Sequence, residues 1–181
     1  RPIPDAWFGL KDEDERYRKR YLDIILNQDL RDMIKRRSIF WNAFRDFLLK
    51  RDYIEVETPA LENTTGGADA RPFETHHNAL DLELYLRIAL ELPLKRLVVG
   101  GFDRVFELSR VFRNEGVSTE HNPEFTMLEF YEAYATYEDL MNLTEELFVR
   151  LCDRVIGTRQ IAFGDKLIDY TPPWTRLTMV E

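Results

Sequence analysis

A single cysteine, Cys152, stands in a chain of 181 residues. One thiol excludes an internal disulfide and a cysteine-rich metal site. Set among apolar residues at helical spacing, Cys152 reads as a small buried hydrophobe rather than a nucleophile. No apolar run approaches the ~18–20 residues needed to span a bilayer, so no membrane association is expected. The opening residues Arg1-Pro2-Ile3-Pro4 carry no apolar stretch of the secretory kind, which makes the expected location cytoplasmic. Glycine is scarce, at eight residues, and its pairs Gly66-Gly67 and Gly100-Gly101 lack the spacing of either glycine-rich phosphate loop. Positive charge is in deficit as well. The net charge of −8 argues against nonspecific nucleic-acid binding, which runs on phosphate neutralisation. The basic clusters Arg16–Arg20 and Lys35-Arg36-Arg37 read as solvated helix faces.

What is present is the profile of a soluble globular protein, 44% hydrophobic and 32% charged, long enough for one real core. Residues 1–10 hold two prolines and a glycine and read as a linker. Asp12 to Leu26 reads as a short charged helix, and Asp29 to Arg51 as a longer one. In the longer helix, Leu30, Met33, Ile34, Trp41, Phe44 and Leu48 form an apolar stripe at three- and four-residue steps. Phe40 and Phe47 widen that stripe enough for a second partner to cover it. Tyr53 to Glu57 alternates as a strand and stops at Thr58-Pro59. Glu62 to Arg71 reads as a loop. Leu80 to Ile88 alternates strictly, with Asp81, Glu83, Tyr85 and Arg87 on the polar side of a half-buried strand. A helix from Leu90 to Val99 ends at Gly100-Gly101. Strands Arg104 to Phe112 and Glu124 to Tyr134 flank an eleven-residue charged loop, Arg113 to Pro123. Thr136 and Asp139 form a capping-box pattern for a helix reaching about Ile156, and short β-like pieces follow near Ile161 and Leu167. There is no internal repeat. The pattern predicts an α+β domain with an antiparallel sheet flanked by helices.

Chemistry concentrates on the hairpin. Side chains two apart share a strand face, so Phe125, Met127, Glu129 and Tyr131 point one way. A carboxylate on such a face needs a partner unless the strand lies at an edge with Glu129 in water. Arg113 shares parity with Glu107. It is either the partner of that carboxylate or an anion clamp at the mouth of the loop, a task that suits arginine's planar fork. The loop histidine, His121, is by itself an ordinary surface residue.

The residues themselves go further. Arg110-Val111-Phe112-Arg113-Asn114-Glu115-Gly116, followed by His121-Asn122-Pro123-Glu124-Phe125-Thr126-Met127-Leu128-Glu129, resembles the second signature motif of class II aminoacyl-tRNA synthetases, most closely the lysine enzymes of bacterial type. Thr65-Gly66-Gly67-Ala68-Asp69-Ala70-Arg71-Pro72-Phe73 and Leu94-Lys95-Arg96-Leu97-Val98-Val99-Gly100-Gly101 resemble the same family. The long helix with Glu55-Val56-Glu57-Thr58-Pro59 resembles the first class II motif, and Arg16 to Asp23 resembles the connector into the catalytic domain. On this basis residues 1–28 would be connector and N-terminal helix. Residues 29–181 would be the N-terminal half of the catalytic domain, with a sheet incomplete on its C-terminal side.

The resemblance implies a role for each matching residue. Arg113 would be catalytic, holding the ATP α-phosphate. Glu115 would read the adenine amino group, and Phe125 would stack on the base. Asn114, His121 and Asn122 match positions that contact the nucleotide. Gly67, Glu91, Glu129 and Tyr131 match the lysine pocket. The implied reaction is attack of the lysine carboxylate on the ATP α-phosphorus, giving lysyl-adenylate, then transfer to tRNA-Lys. The family also implies magnesium and a homodimer formed through residues 29–59. Two residues depart from its pattern: Glu120 stands where a basic residue is common, and Pro93 where an aromatic or histidine is common. The third class II motif, its second ATP-binding arginine, the acidic magnesium ligands and the anticodon-binding barrel have no counterpart in these residues, so weak or no activity is expected of the chain alone. Two other readings stay open: a paralogue that lysylates elongation factor P, and a non-catalytic dimerisation or regulatory module.

Overall fold

The computed structural model describes residues 9–180. The proline-rich opening read as a linker lies almost wholly outside the described residues. The described chain divides into two compact units, one from Arg45 to Asn142, the other made of the residues up to Phe44 together with those from Leu143 onward.

The Arg45–Asn142 unit carries the hairpin. Strands β5 (Arg104–Phe112) and β6 (Glu124–Glu132) pair antiparallel over nine residues each, from Arg104 opposite Glu132 to Phe112 opposite Glu124. The eleven-residue loop falls between them as the turn residues predict. Beyond β6, Tyr134 adopts a positive φ of 63°, so the strand ends two residues before the expected bound. On the other side of β5 lies β1, only Ile54–Glu55, and it runs parallel. The sheet is therefore mixed rather than purely antiparallel. Thr58 leaves it because its polar groups are used elsewhere, as described below.

A second small sheet has the order β2 (Leu61–Glu62), β4 (Leu82–Leu86), β3 (Glu74–His77), all antiparallel. β3 sits in a stretch whose histidines and asparagine gave no strand pattern. β4 is shorter than the Leu80–Ile88 alternation. It begins after a turn in which Asp81 has φ 49°, and it ends before Arg87, whose side chain is drawn inward. Helix α4 (Glu91–Val99) follows, and its end at Gly100 is as expected. Pro93 stands in its first turn, where the backbone N–H has no intrahelical partner to lose. Leu90, Leu94, Val105 and Val111 form a buried cluster, with Phe125, Met127 and Tyr131 packed on it. Each such leucine contributes roughly 1.5–3 kcal/mol by leaving water. The hairpin face that carries Glu129 is thus the face covered by α4.

In the other unit, the expected first helix is two: α1 (Glu13–Arg18) and α2 (Arg20–Leu26), broken at Lys19 with φ −114° and ψ 45°. Neither proline nor glycine marks the break. Arg16 and Arg20 both close on the buried Asp23, at 3.2 and 3.0 Å. The long helix α3 (Gln28–Leu49) begins in this unit. Its stripe is narrower than the periodicity suggests. Leu30, Ala43, Phe47 and Leu48 are buried, whereas Met33 and Ile34 are 44% and 42% exposed. The capping box forms as predicted, with Asp139 N–H donating to Thr136 Oγ1 and Thr136 N–H to Asp139 Oδ2. The helix it opens, α5 (Tyr137–Leu151), ends in a π-helical turn, Cys152–Ile156, with Cys152 buried. Strands β7 (Gln160–Phe163) and β8 (Lys166–Asp169) form a hairpin. Among the described residues no helix is long and apolar enough to cross a membrane.

Candidate functional site

β6 gathers the chemistry by alternation. Phe125, Met127, Glu129 and Tyr131 stand opposite Val111, Ser109, Glu107 and Val105 of β5, on one face. Two carboxylates, Glu107 and Glu129, are therefore cross-strand neighbours, an arrangement that repels unless each has its own compensation. Glu107, 1% exposed, is held by Arg87 at 2.8 Å and by the Thr58 hydroxyl at 2.6 Å. The expected alternative pairing of Arg113 with Glu107 does not occur, because Arg87 takes that place. Glu129 is not in open water either. Its Oε1 accepts from the Leu90 N–H at 3.1 Å, and its Oε2 accepts from the Tyr131 hydroxyl at 3.1 Å. Burial first, and then repulsion by Glu129, raises the Tyr131 pKa, so the phenol remains an O–H donor.

Two more residues close on this point. Glu91, in the first turn of α4, contacts Lys95 Nζ at 2.6 Å. That ammonium lies 5.9 Å from the centre of the Tyr131 ring. Gly67 takes φ +84°, and a Cβ there would stand 3.0 Å from the Glu91 Cβ and 3.2 Å from the Ala89 Cβ. Only glycine combines that backbone with that approach.

The other end of the face is the loop mouth. Arg113 N–H bonds to the Pro123 carbonyl at 2.8 Å, closing the hairpin base. Its guanidinium stands 5.2 Å from the centre of the Phe125 ring and donates through Nε to the Ile88 carbonyl at 3.3 Å. Arg71 bridges in from the preceding loop. Its carbonyl accepts from Asn114 N–H at 2.7 Å and its own N–H donates to Glu115 Oε1 at 3.4 Å. The loop tip is ordered by Ser118, whose hydroxyl contacts His121 Nδ1 at 2.9 Å. A hollow of about 310 Å³ results, lined by Arg113, Glu115, Glu120, His121, Asn122 and Phe125. That is the small end of the range for small-molecule sites. Two larger hollows, of about 740 and 790 Å³, lie elsewhere in this unit, the second between α4 and the small sheet. Size does not decide among them. The smaller one joins a charged fork to an aromatic face, and the same strand carries Glu129.

The arrangement can do two things chemically. It can hold a planar ring and an anion at the mouth, and a compact cation beside the Glu129 carboxylate. Among the described residues no three His, Cys, Asp or Glu side chains gather as metal ligands.

The profile of the family described as tRNA synthetases class II (D, K and N) matches residues 12–181. The chain belongs to that family. Within it, the chain is 55% identical over its whole length to a lysine--tRNA ligase of Clostridium kluyveri and 59% identical to one of Pseudomonas savastanoi pv. phaseolicola. A lysine--tRNA ligase of Clostridium botulinum is also 55% identical. In each case the chain spans 36% of the relative's length, about a third.

As a class II synthetase chain, it brings its expected site residues together unevenly. Arg113, Glu115, His121, Asn122 and Phe125 share the hollow, whereas of the other four Gly67 approaches Glu91 and Tyr131 bonds to Glu129. Asn114 does not line the hollow; its N–H is spent on Arg71. Glu120 does line it, so the acidic departure faces the cavity rather than away from it. Sequence reasoning missed Arg87. Alternation placed it on the polar side of a strand, yet it is 4% exposed. The missed signal was Glu107: a buried carboxylate on β5 demands a cation, and Arg87, just past the end of β4, supplies it.

Proposed function

We propose that this chain supplies the lysine pocket and the adenine and α-phosphate contacts of a lysine–tRNA ligase. The observation that carries the proposal is the single face of β6, with Phe125 and Arg113 at one end and Glu129, Tyr131 and Glu91 at the other. Lysine's ammonium is strongly hydrated, and burying it unpaired costs several kcal/mol. Two carboxylates and a phenol replace that hydration. Arg113 stabilises charge as it builds on the α-phosphate, and the Phe125 ring stacks on adenine. Lysine and nucleotide then lie side by side along one strand, which brings the lysine carboxylate to the α-phosphorus. No protein nucleophile is needed. Magnesium supplies further charge neutralisation when bound.

The identity to lysine--tRNA ligases across all of this chain supports lysine as the substrate and tRNA as the acceptor. Pairing of two copies through residues 29–59 is part of the same proposal. It is supported by Met33, Ile34, Ile39 and Ile54, all exposed apolar residues within that span. The decisive experiment is lysine-dependent ATP–pyrophosphate exchange by this chain and by a longer protein containing it. Glu129→Gln in the longer protein is expected to raise the KM for lysine at least tenfold while moving that for ATP less than threefold. Equal effects on both would contradict the assignment. Elongation factor P offered as acceptor separates the paralogue reading, and absence of any thermal shift with lysine and ATP would leave the non-catalytic one.

A further inference from the structure

We propose that Arg87 is a positioning residue that sets the spacing between Arg113 and Glu129 by locking the backbone of residues 87–90. The inference rests on the function proposed above.

Residues 87–90 link β4 to α4, and all four are buried. A buried irregular segment must account for its backbone polar groups, and this one does so at both ends of the site. Arg87 N–H donates to the Ala60 carbonyl at 3.0 Å, and its carbonyl accepts from Phe112 N–H at 2.9 Å. One residue on, the Ile88 carbonyl holds Arg113 Nε. Two residues further, the Leu90 N–H holds Glu129 Oε1. The phosphate-end arginine and the lysine-end carboxylate are thus hydrogen-bonded to the same short piece of backbone, which can separate its two anchor points by only about 7 Å.

The Arg87 side chain fixes that piece in place. Its Nε donates to the Arg110 carbonyl at 2.8 Å, and its Nη1 reaches the Thr58 carbonyl and Glu107 Oε1, both at 2.8 Å. Its Nη2 donates to the Ser109 hydroxyl. Glu107 Oε2 accepts from both the N–H and the hydroxyl of Thr58. An apolar pair of similar volume would hold the fold as well or better. What it would not provide is direction. The planar fork fixes segment 87–90 against β5 and Thr58 at several points, and so fixes where Ile88 O and Leu90 N–H stand. Lysine in place of Arg87 would keep the charge but lose the fork.

The test uses Arg87→Lys and the double variant Arg87→Met/Glu107→Leu, which removes both charges together. Two readouts are taken on the full chain. The first needs no ligand. Amide hydrogen exchange at Leu90, relative to Val105 in β5, is expected to accelerate at least tenfold in both variants. The second is calorimetric binding of lysine and of ATP, measured separately. Both affinities are expected to fall at least fivefold, although neither ligand touches Arg87. A merely structural role would lower Tm and leave relative Leu90 exchange unchanged, and that result overturns the inference. A change confined to one of the two affinities overturns the shared brace as well. If the unaltered chain binds neither ligand, the proposed function fails, and the exchange readout still decides whether Arg87 positions the segment. If Arg87→Lys does not fold, the double variant carries both readouts.

Discussion

Replacing Gly67 by alanine tests how closely the loop and the helix start must approach. The native φ of +84° is costly for any residue with a Cβ, by about 1–2 kcal/mol. The added methyl would also stand 3.0 Å from the Glu91 Cβ and 3.2 Å from the Ala89 Cβ. Those atoms are Cβ atoms carried directly by the backbone and cannot swing aside like the end of a long side chain. Overpacking of that kind costs about 1–3 kcal/mol. The sum is a loss of about 2–5 kcal/mol. Gly101 is the control, with φ +104° and nothing within 4 Å of its added Cβ. Gly101→Ala should therefore show the backbone cost alone, about 1–2 kcal/mol. Urea denaturation of both variants isolates the steric part as their difference. Lysine affinity of the Gly67 variant should also fall, since Glu91 moves with its backbone. Equal losses at the two glycines, or a Gly67→Ala loss below about 0.5 kcal/mol, would refute the close-approach argument.

Two further outcomes follow from local geometry. Thr136→Ala removes the cap of α5 and should cost about 1 kcal/mol in urea denaturation, because the Asp139 N–H loses its acceptor. Burial raises the pKa of Glu62 above its ordinary 4.5. The folded chain then binds the extra proton, so this residue's contribution to stability is greatest below about pH 4.5 and declines as pH rises through the folded value. Glu62→Gln should accordingly stabilise the chain at pH 7 and have little effect at pH 4, as read from Tm across that range.

The hairpin was legible because its signals are local. Nine alternating residues on each side of a turn-rich loop leave little choice of register, and parity alone put Glu129 beside Tyr131. The ends of α4 and the cap of α5 were legible for the same reason. What escaped depended on distant partners. β1 shrank to two residues because Thr58 turns away to serve Glu107 and Arg87, contacts 49 and 29 positions away. Arg87 looked solvent-facing because nothing in the Leu80–Ile88 alternation reveals a buried carboxylate on β5. β3 escaped because Glu74 to His77 have no strand pattern of their own and are held by pairing to β4. The break at Lys19 has no local marker either, and becomes visible only through the two arginines closing on Asp23.

The most direct test of the account is calorimetric binding of lysine against norleucine, its neutral isostere, to this chain. If Glu91, Glu129 and Tyr131 form a cation site, norleucine leaves the half-buried Glu129 carboxylate without a cationic partner, and lysine should bind at least about a hundredfold more tightly. The preference should collapse in Glu129→Gln. Affinities for the two ligands within threefold of each other would contradict the claim that this face of β6 reads lysine.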